Sequence, residues 1–432
     1  MEQIINDKNG ILFSDSLQKE IKDKFYFVDE DITYGKRLFF DNSGGALRLK
    51  SAVEEKAKFE SLPDCPDRNH DKAQELNSVV MGGTKDIIST VFGADNGALI
   101  TELTASQTMF YMVELIMENI PGKNAVVSVL EHPSAFDAVA YNCKRFGKEL
   151  RVVNADPTTG SILAEDVAKL IDKDTCLLSV MSASNVTGAV MDIEAIVKVA
   201  RKIKPDLFIL SDAVQHAPHG VLDVQKLQID GMNIAPYKMF GIRGCGFAWI
   251  SDRMTQLPHR KLLGKDQEFF ALGTQTPGNF AAMSAVIDYV CEIGKTYLQS
   301  SDRRELYKEG MRRIKLHERA LHNRLLEGTE NIPGLRNIKS VRVFADGLPL
   351  ENRDLIVAMD IEGMDVCDTV KEYEKNGIIV CDRSNRSMYA KRIVEAIGLN
   401  GAIRVSPLHC HNFDDIDLFL SVTNKIAEEF NN

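Results

Sequence analysis

The sequence predicts an α/β fold in which a large domain built on a mainly parallel sheet is followed by a smaller α/β carboxyl-terminal domain. Three observations predict it. Between about residues 98 and 250, short apolar runs alternate with longer segments of helical period, the pattern of parallel strands joined by crossover helices. A charged stretch, Ser300–Glu327, then ends that alternation and opens a second unit. Of the 432 residues, 44% are hydrophobic and 26% charged, which supplies enough apolar surface for a sizeable core.

Taken in order, residues 1–35 are too few to bury a core of their own and are expected to pack on the small domain. The large domain is placed at 36–295. Its strands are read at Gly97–Thr101, Ala125–Leu130, Leu150–Val153, Leu177–Met181, Leu207–Asp212 and Phe247–Ile250, with a short apolar strand leading to Lys238. Helices are read at Ser106–Ile120, Ser134–Phe146, Leu163–Ile171 and Ile193–Ile203. The small domain, 296–432, is expected to hold one long helix and strands at Val341–Phe344 and Leu355–Ile361, followed by a helix at Val366–Asn376. After Ile378–Val380 come a polar loop, a helix at Ala390–Ile397, a strand at Ala402–Val405 and a final helix at Asp414–Phe430.

Charge and pattern narrow the function. The net charge is −10 and the basic residues are scattered rather than striped, so the footprint of a nucleic-acid binder is missing. The richest apolar run, Met109–Ile120, is interrupted by Glu114 and Glu118, and no membrane span is expected. The first eight residues lack a basic start followed by an apolar stretch, so a cytoplasmic location is expected. The eight cysteines form no Cys-x-x-Cys pair, which argues for reduced thiols and against a zinc site or a disulfide framework.

Lys238 carries the chemistry. It lies in Asn233-Ile234-Ala235-Pro236-Tyr237-Lys238 ahead of a glycine-rich turn, and downstream of the strand-end acid in Ser211-Asp212-Ala213. An amine so placed can form a Schiff base with the aldehyde of pyridoxal 5'-phosphate (PLP), while Asp212 keeps the pyridine nitrogen protonated and makes the ring an electron sink. The phosphate needs the free N–H groups of a helix start, and Ala105 and Ser106 open one after the first strand. Ser106 also reads as the helix cap. His132, at the end of another strand, can stack on the ring and relay a proton. Asn185 can hydrogen-bond the cofactor phenolate and the substrate carboxylate, Gln215 is a second candidate for the phenolate, and the Tyr237 hydroxyl for the phosphate. Arg383 and Arg386 suggest a substrate with a second anionic group, or else are solvated loop charges.

The segments Asp41-Asn42-Ser43-Gly44-Gly45, Glu131-His132-Pro133-Ser134, Ser184-Asn185-Val186-Thr187-Gly188, Asp212-Ala213-Val214-Gln215, Lys238, Gly273-Thr274-Gln275-Thr276-Pro277 and Arg404-Val405-Ser406 run in one order from about residue 38 to the end. Together they resemble the class V aminotransferase family, in the branch with cysteine desulfurases and selenocysteine lyases. The resemblance implies the PLP-dependent transferase fold type I, with a seven-stranded, mainly parallel sheet, and a homodimer with shared active sites. It further implies that Thr274 reaches the partner's phosphate and that Arg404 holds the substrate α-carboxylate, a role a guanidinium fork suits.

Three stretches depart from the family. Desulfurases carry their nucleophilic cysteine in Arg-x-Gly-x-x-Cys; here the stretch reads Cys381-Asp382-Arg383-Ser384-Asn385-Arg386, with arginine in the nucleophile's place. Cys381 is read as structural. Ala235-Pro236-Tyr237-Lys238 replaces Ser-x-His-Lys, and Thr104-Ala105-Ser106 replaces Gly-Thr-Thr. The expected activity is therefore that of a PLP enzyme acting on a small amino acid through an external aldimine and a Cα carbanion. A desulfurase-like carbon–sulfur lyase that forms no protein persulfide is expected, with transamination or epimerisation as alternatives. A catalytically silent ligand-binding descendant would be expected to lose Lys238 or Asp212 first, and both are present.

Overall fold

The computed structural model describes residues 7–63, 65–66 and 68–431; residues 1–6, on which part of the amino-terminal expectation falls, lie outside them. In chain order, the amino-terminal helix α1 (Asp15–Asp23) is followed by short strands β1 (Glu30–Asp31), β2 (Gly35–Lys36) and β3 (Leu38–Phe39), then by α2 (Lys50–Glu60) and α3 (Asp71–Asp86). The large sheet and its crossovers are β4 (Ala98–Glu102), α4 (Ala105–Asn119), β5 (Asn124–Ser128), α5 (Pro133–Phe146), β6 (Glu149–Val153), α6 (Ala164–Leu170), β7 (Thr175–Ser179), α7 (Ile193–Ile203) and β8 (Phe208–Asp212). They continue through a single turn α8 (Val224–Leu227), β9 (Gly231–Ile234), β10 (Gly246–Ile250) and a second single turn α9 (Asp252–Thr255). Helices α10 (Pro277–Lys295) and α11 (Arg303–Glu327) lead to β11 (Val341–Phe344), β12 (Val357–Ile361), α12 (Val366–Lys375), β13 (Ile378–Ile379), β14 (Cys381–Ser384), α13 (Lys391–Ala396), β15 (Gly401–Val405) and α14 (Phe413–Asn431).

The large sheet has seven strands in the order β4-β10-β9-β8-β7-β5-β6. Pairings from β6 through β9 are parallel, and β10 alone runs against both its neighbours, β4 and β9. The mainly parallel seven-stranded sheet is thus observed, its seventh strand being the short run that leads to Lys238.

Successive side chains of a strand point to opposite faces, and the core divides accordingly. Ala125 and Val127 of β5, with Phe208 and Leu210 of β8, pack under Met109, Met112 and Ile116 of α4 and Ala138 of α5. Val126 and Ile209 face the other way, toward Ile196, Val197 and Ala200 of α7 and Phe280 and Val286 of α10. Each Val, Leu, Ile, Met or Phe side chain fully buried in these layers contributes about 1.5–3 kcal/mol. With helices on both faces, the strands read as continuous apolar runs, which is why they were legible.

Helices α2, α3 and α10 have no counterpart in the sequence reading. Helix α10 is apolar almost all round, with fourteen of its nineteen residues buried, so it shows no amphipathic stripe to find. Helix α3 contains Gly82-Gly83, which reads as a breaker; Gly83 is there because a Cβ would lie 2.7 Å from Cβ of Phe280 on α10.

The small domain is a four-stranded antiparallel sheet, β11-β12-β15-β14. Its own core gathers Met359, Ile361, Ile403, Val405, Tyr373 and Phe419 on one face. Ala358 and Ala402, on the opposite face, join the core cluster shared with the large domain. The stretch expected to be a polar loop contains strand β14, paired antiparallel with β15. It reads as loop because all its exposed-looking residues are polar, yet its inner face is turned toward the large domain.

Before α2 the chain runs along the junction. Phe13 stacks on His317 of α11 at 4.4 Å, Gln18 donates to the carbonyls of His409 and His411, and β3 pairs in parallel with β13. Phe25 also meets Phe240 and Tyr289 of the large domain edge-on, at 5.8 and 5.6 Å. Among the described residues no helix is long and apolar enough to cross a membrane. All eight cysteines are free thiols.

Candidate active site

Strands β5, β7, β8 and β9 are parallel, and β4 shares their direction because β10 opposes both β4 and β9. The carboxyl ends of all five therefore lie on one edge of the sheet, where open α/β sheets collect ligands. That edge carries Ala105 after β4, His132 after β5, Asn185 after β7, Asp212 at the end of β8 and Lys238 after β9.

Asp212 is fully buried, and burial pushes its carboxyl up to about 6, against the opposing pull of the Val214 N–H, which donates to Oδ1 at 3.0 Å, and of the Lys238 charge. Lys238 donates from Nζ to the carbonyl of Ser43. Burial, reinforced by the charges of Arg404, Arg383 and Arg243, lowers its ammonium to about 7, with Asp41 pulling the other way. Near neutrality much of the amine is therefore unprotonated and nucleophilic.

His132 caps α5. Its Nδ1 accepts from the Ser134 N–H at 3.2 Å and lies 2.7 Å from the Ser134 hydroxyl, which assigns the ring proton to Nε2. Burial and the Lys238, Arg383, Arg392 and Arg404 charges lower the imidazole to about 4, so it is neutral at pH 7. Two residues that the sequence reading did not single out hold it in place. Glu131 is fully buried; its Oε1 accepts from the Ser128 hydroxyl at 2.6 Å and the Met181 N–H at 2.7 Å, tying the ends of β5 and β7. Burial first, and Asp212 in addition, raise its carboxyl to about 8. Arg392 of α13 donates to the carbonyls of Val129 and Glu131 and stacks on Phe136 at 3.8 Å. An acid just after a strand and an arginine in a helix both read as surface residues in a sequence.

Gln215 donates to the Ser43 hydroxyl at 3.3 Å, and the backbone carbonyl of Asn185 accepts from Arg404 at 3.1 Å. Oδ1 of Asn185 and Oε1 of Gln215 are buried without a hydrogen-bond partner. At the start of α4 the cap is Thr104, whose hydroxyl accepts from the Gln107 N–H at 3.2 Å, and not Ser106, whose side chain is exposed. The Ala105 and Ser106 N–H groups are in the first turn, which has no intrahelical acceptors. Gly246 lies directly behind them: a Cβ there would stand 2.2 Å from the Ala105 nitrogen.

Tyr237 sits beneath the guanidinium of Arg243, 4.3 Å from its ring centre, and its carbonyl accepts from Arg48 at 2.7 Å. Burial and Arg243 together lower Arg48 to about 10. This pair of guanidinia was also not anticipated, because Arg48 is brought to Lys238 only by folding.

Arg404 is buried and pairs with Asp41 at 2.7 Å. Arg386 is not brought to the cluster: it is exposed and pairs with Asp365 at 2.5 Å. Arg383 is half-buried and its charge acts on both Lys238 and His132. Cys381 lies on β14, with its thiol pushed up by burial and Sγ 3.3 Å from the Asp382 carbonyl. Thr274 is exposed on the stretch between α9 and α10, 4.0 Å from the Cys65 sulfur.

A family model of the class V aminotransferases matches residues 38–419. The chain therefore belongs to the class V aminotransferase family, whose members are PLP-dependent enzymes. It is 29% identical over 194 residues to a cysteine desulfurase of Salmonella choleraesuis (strain SC-B67), covering 41% of this chain and 47% of that protein. It is 25% identical over 269 residues to a probable cysteine desulfurase of Mycoplasma genitalium, covering 59% and 64%. The chain thus aligns with about half to two thirds of the length of these relatives. Among solved structures, the apo cysteine desulfurase of Thermococcus onnurineus NA1 superposes with a TM-score of 0.79 at 20% identity, covering 95% of this chain and 98% of that one. The cysteine desulfurase CsdA of Escherichia coli gives 0.76 at 17%, covering 97% and 100%. These two likenesses establish the shared fold.

The residues present fit the cofactor. Asp212 is a buried acid at a strand end, Lys238 has an amine whose ammonium is lowered to about 7, the α4 N-terminus offers N–H groups, and two buried amides lack partners that a polar ligand would supply.

Proposed function

We propose that this chain is a desulfurase-like carbon–sulfur lyase acting on a small amino acid without forming a protein persulfide. The observation that carries the reading is Cys381. Its thiol is raised by burial and it is held on a strand, while Arg386 stands in the family's nucleophile position, so no activated thiolate faces the site. Lys238, Asp212, Asn185, Gln215, Tyr237 and the Ala105 and Ser106 N–H groups would hold PLP, with Arg48 and Arg243 adding positive charge beside Tyr237. Bound there, the cofactor supplies an electron sink for negative charge developing at the substrate Cα.

The chain's own groups do the rest. Asp212 keeps a carboxylate where a protonated pyridine nitrogen is to be stabilised. Arg404 orients the substrate by its α-carboxylate. Lys238, once released, takes the Cα proton on Nζ, since an amine near 7 can both accept and return a proton. His132, neutral and with its proton on Nε2, offers a donor to the leaving group. Thr274, exposed on its loop, is suited to complete the phosphate site of a second copy, so the working form is proposed to be a cytoplasmic homodimer.

The test is to incubate the holoenzyme with a panel of amino acids, with and without a 2-keto acid. Pyruvate formed together with sulfide or a persulfide, in the absence of the acceptor, is the expected result. Product formed only with the keto acid would replace elimination by transamination.

A further inference from the structure

The two arginines of the Cys381–Arg386 stretch have opposite fates. Arg386 lies past the end of β14 and pairs outward with Asp365. Arg383 lies within β14, two residues from Cys381 and on the same face. The register pairs Cys381 with Arg404 and Arg383 with Ala402, so Arg383 and Arg404 are diagonal neighbours on one face of the small-domain sheet. Such neighbours have side chains within reach of a single small ligand, about 7–8 Å apart at the backbone. This face is the one turned to the large domain, because Ala402 and Ala358 on it join the shared core while Ile403 and Val405 fill the small domain's own.

Their charge balance differs. Arg404 has the Asp41 carboxylate at 2.7 Å and the Asn185 carbonyl at 3.1 Å. Arg383 donates from Nη2 to the Tyr389 carbonyl at 3.1 Å, its Nε is buried without a hydrogen-bond partner, and among the described residues no carboxylate forms an ion pair with it. A half-buried guanidinium with no carboxylate in ion-pair contact has lost part of its hydration, and an anion delivered by a ligand would offset that cost. Lys238 cannot supply it, and Asp41 is already engaged.

We infer that Arg383 receives a second anionic group on the substrate side chain, so that the site takes a short amino acid ending in a carboxylate, sulfinate or sulfonate. The inference rests on the reading of the site as one for amino acids, with Arg404 on the α-carboxylate. It narrows that reading from small amino acids in general to acidic ones.

The holoenzyme decides it by binding. Dissociation constants are measured by calorimetry for L-aspartate and L-cysteate, which carry the side-chain anion, and for L-alanine and L-serine, which do not. The wild-type protein is expected to bind the first pair at least tenfold more tightly than the second. In Arg383→Gln that ratio falls by tenfold or more, and Arg383→Lys restores part of it. A wild-type ratio near one, which needs no variant, overturns the inference while leaving the amino-acid site intact. So does an Arg383→Gln protein that loses affinity for all four ligands equally. Failure of the wild-type holoenzyme to bind any of the four would instead overturn the broader reading of the site.

Discussion

Arg404 of the small domain donates to Oδ1 of Asp41 at 2.7 Å, with the arginine side chain 3% exposed and the aspartate 25%. The pair joins the last strand of the small-domain sheet to the segment that follows β3, so the proposed carboxylate-binding group is fixed from both sides of the junction. Its Nε remains buried without a partner, which leaves a donor for an incoming carboxylate.

Replacing Arg404 therefore tests both position and charge. Arg404→Lys keeps a cation but loses the planar fork, and we expect kcat/KM for amino acids to fall about 100-fold, equivalent to about 2.7 kcal/mol of lost transition-state stabilisation. Steady-state kinetics across substrate concentrations gives the value, and a change below threefold would remove Arg404 from substrate binding.

For Lys238 the expectation is spectroscopic. Lys238→Ala should abolish the visible absorption of the bound cofactor and its fixation to the protein by borohydride. In the apoprotein, the rate at which the amine captures PLP should rise through about pH 7, where burial and the surrounding guanidinia place its ammonium, and not through the ordinary lysine range. The folded ammonium is disfavoured, so the cost is full below pH 7 and disappears as the pH rises toward the ordinary lysine value of about 10.4.

Glu131 and Asp212 are both fully buried acids, raised to about 8 and about 6. Glu131→Gln keeps the size and an acceptor for Ser128 and Met181, so the fold should survive, and because the Glu131 carboxyl is already protonated through the range in which Asp212 titrates, the Asp212 carboxyl should not move. Titration of the holoenzyme absorption should show an unchanged acid limb, and a shift of that limb to lower pH would mean that Glu131 is ionised beside Asp212.

A buried pair away from the site governs stability. Nδ1 of His219 and Oε2 of Glu318 meet at 2.7 Å, each side chain 3% exposed. Burial opposes both charges, yet their attraction outweighs it, holding His219 above the ordinary imidazole range and Glu318 at about 2. The Glu318 contribution is present above the ordinary carboxylate range and is lost as the pH falls toward 2. The His219 contribution is present below the ordinary imidazole value and is lost as the pH rises past its folded one. Glu318→Gln should cost about 3–5 kcal/mol at neutral pH and flatten both limbs of the stability profile, as denaturant unfolding across pH would show.

Gly246→Ala should separate packing from chemistry. Its Cβ would stand 2.2 Å from the Ala105 nitrogen, and a backbone atom at a helix start cannot step aside as a flexible side chain can. We expect a loss of about 1–3 kcal/mol and a PLP affinity at least tenfold weaker, measured by thermal melts with and without cofactor.

The strand–helix alternation was legible in the chain alone, because strands covered on both faces are written as unbroken apolar runs and crossover helices as amphipathic ones. Lys238, Asp212 and His132 were legible there as candidates, together with the order of the family segments, since these residues follow strand ends and strand ends converge in any open α/β sheet. Which of Arg383 and Arg386 is turned inward could be known only from the folded chain. The choice depends on β14 being a strand, and its pairing with β15 is a contact between segments whose polar residues give no period to read. The same holds for Glu131, Arg392 and Arg48, whose burial is imposed by neighbours distant in the chain: a charge looks solvated in a sequence until the surface that covers it is known.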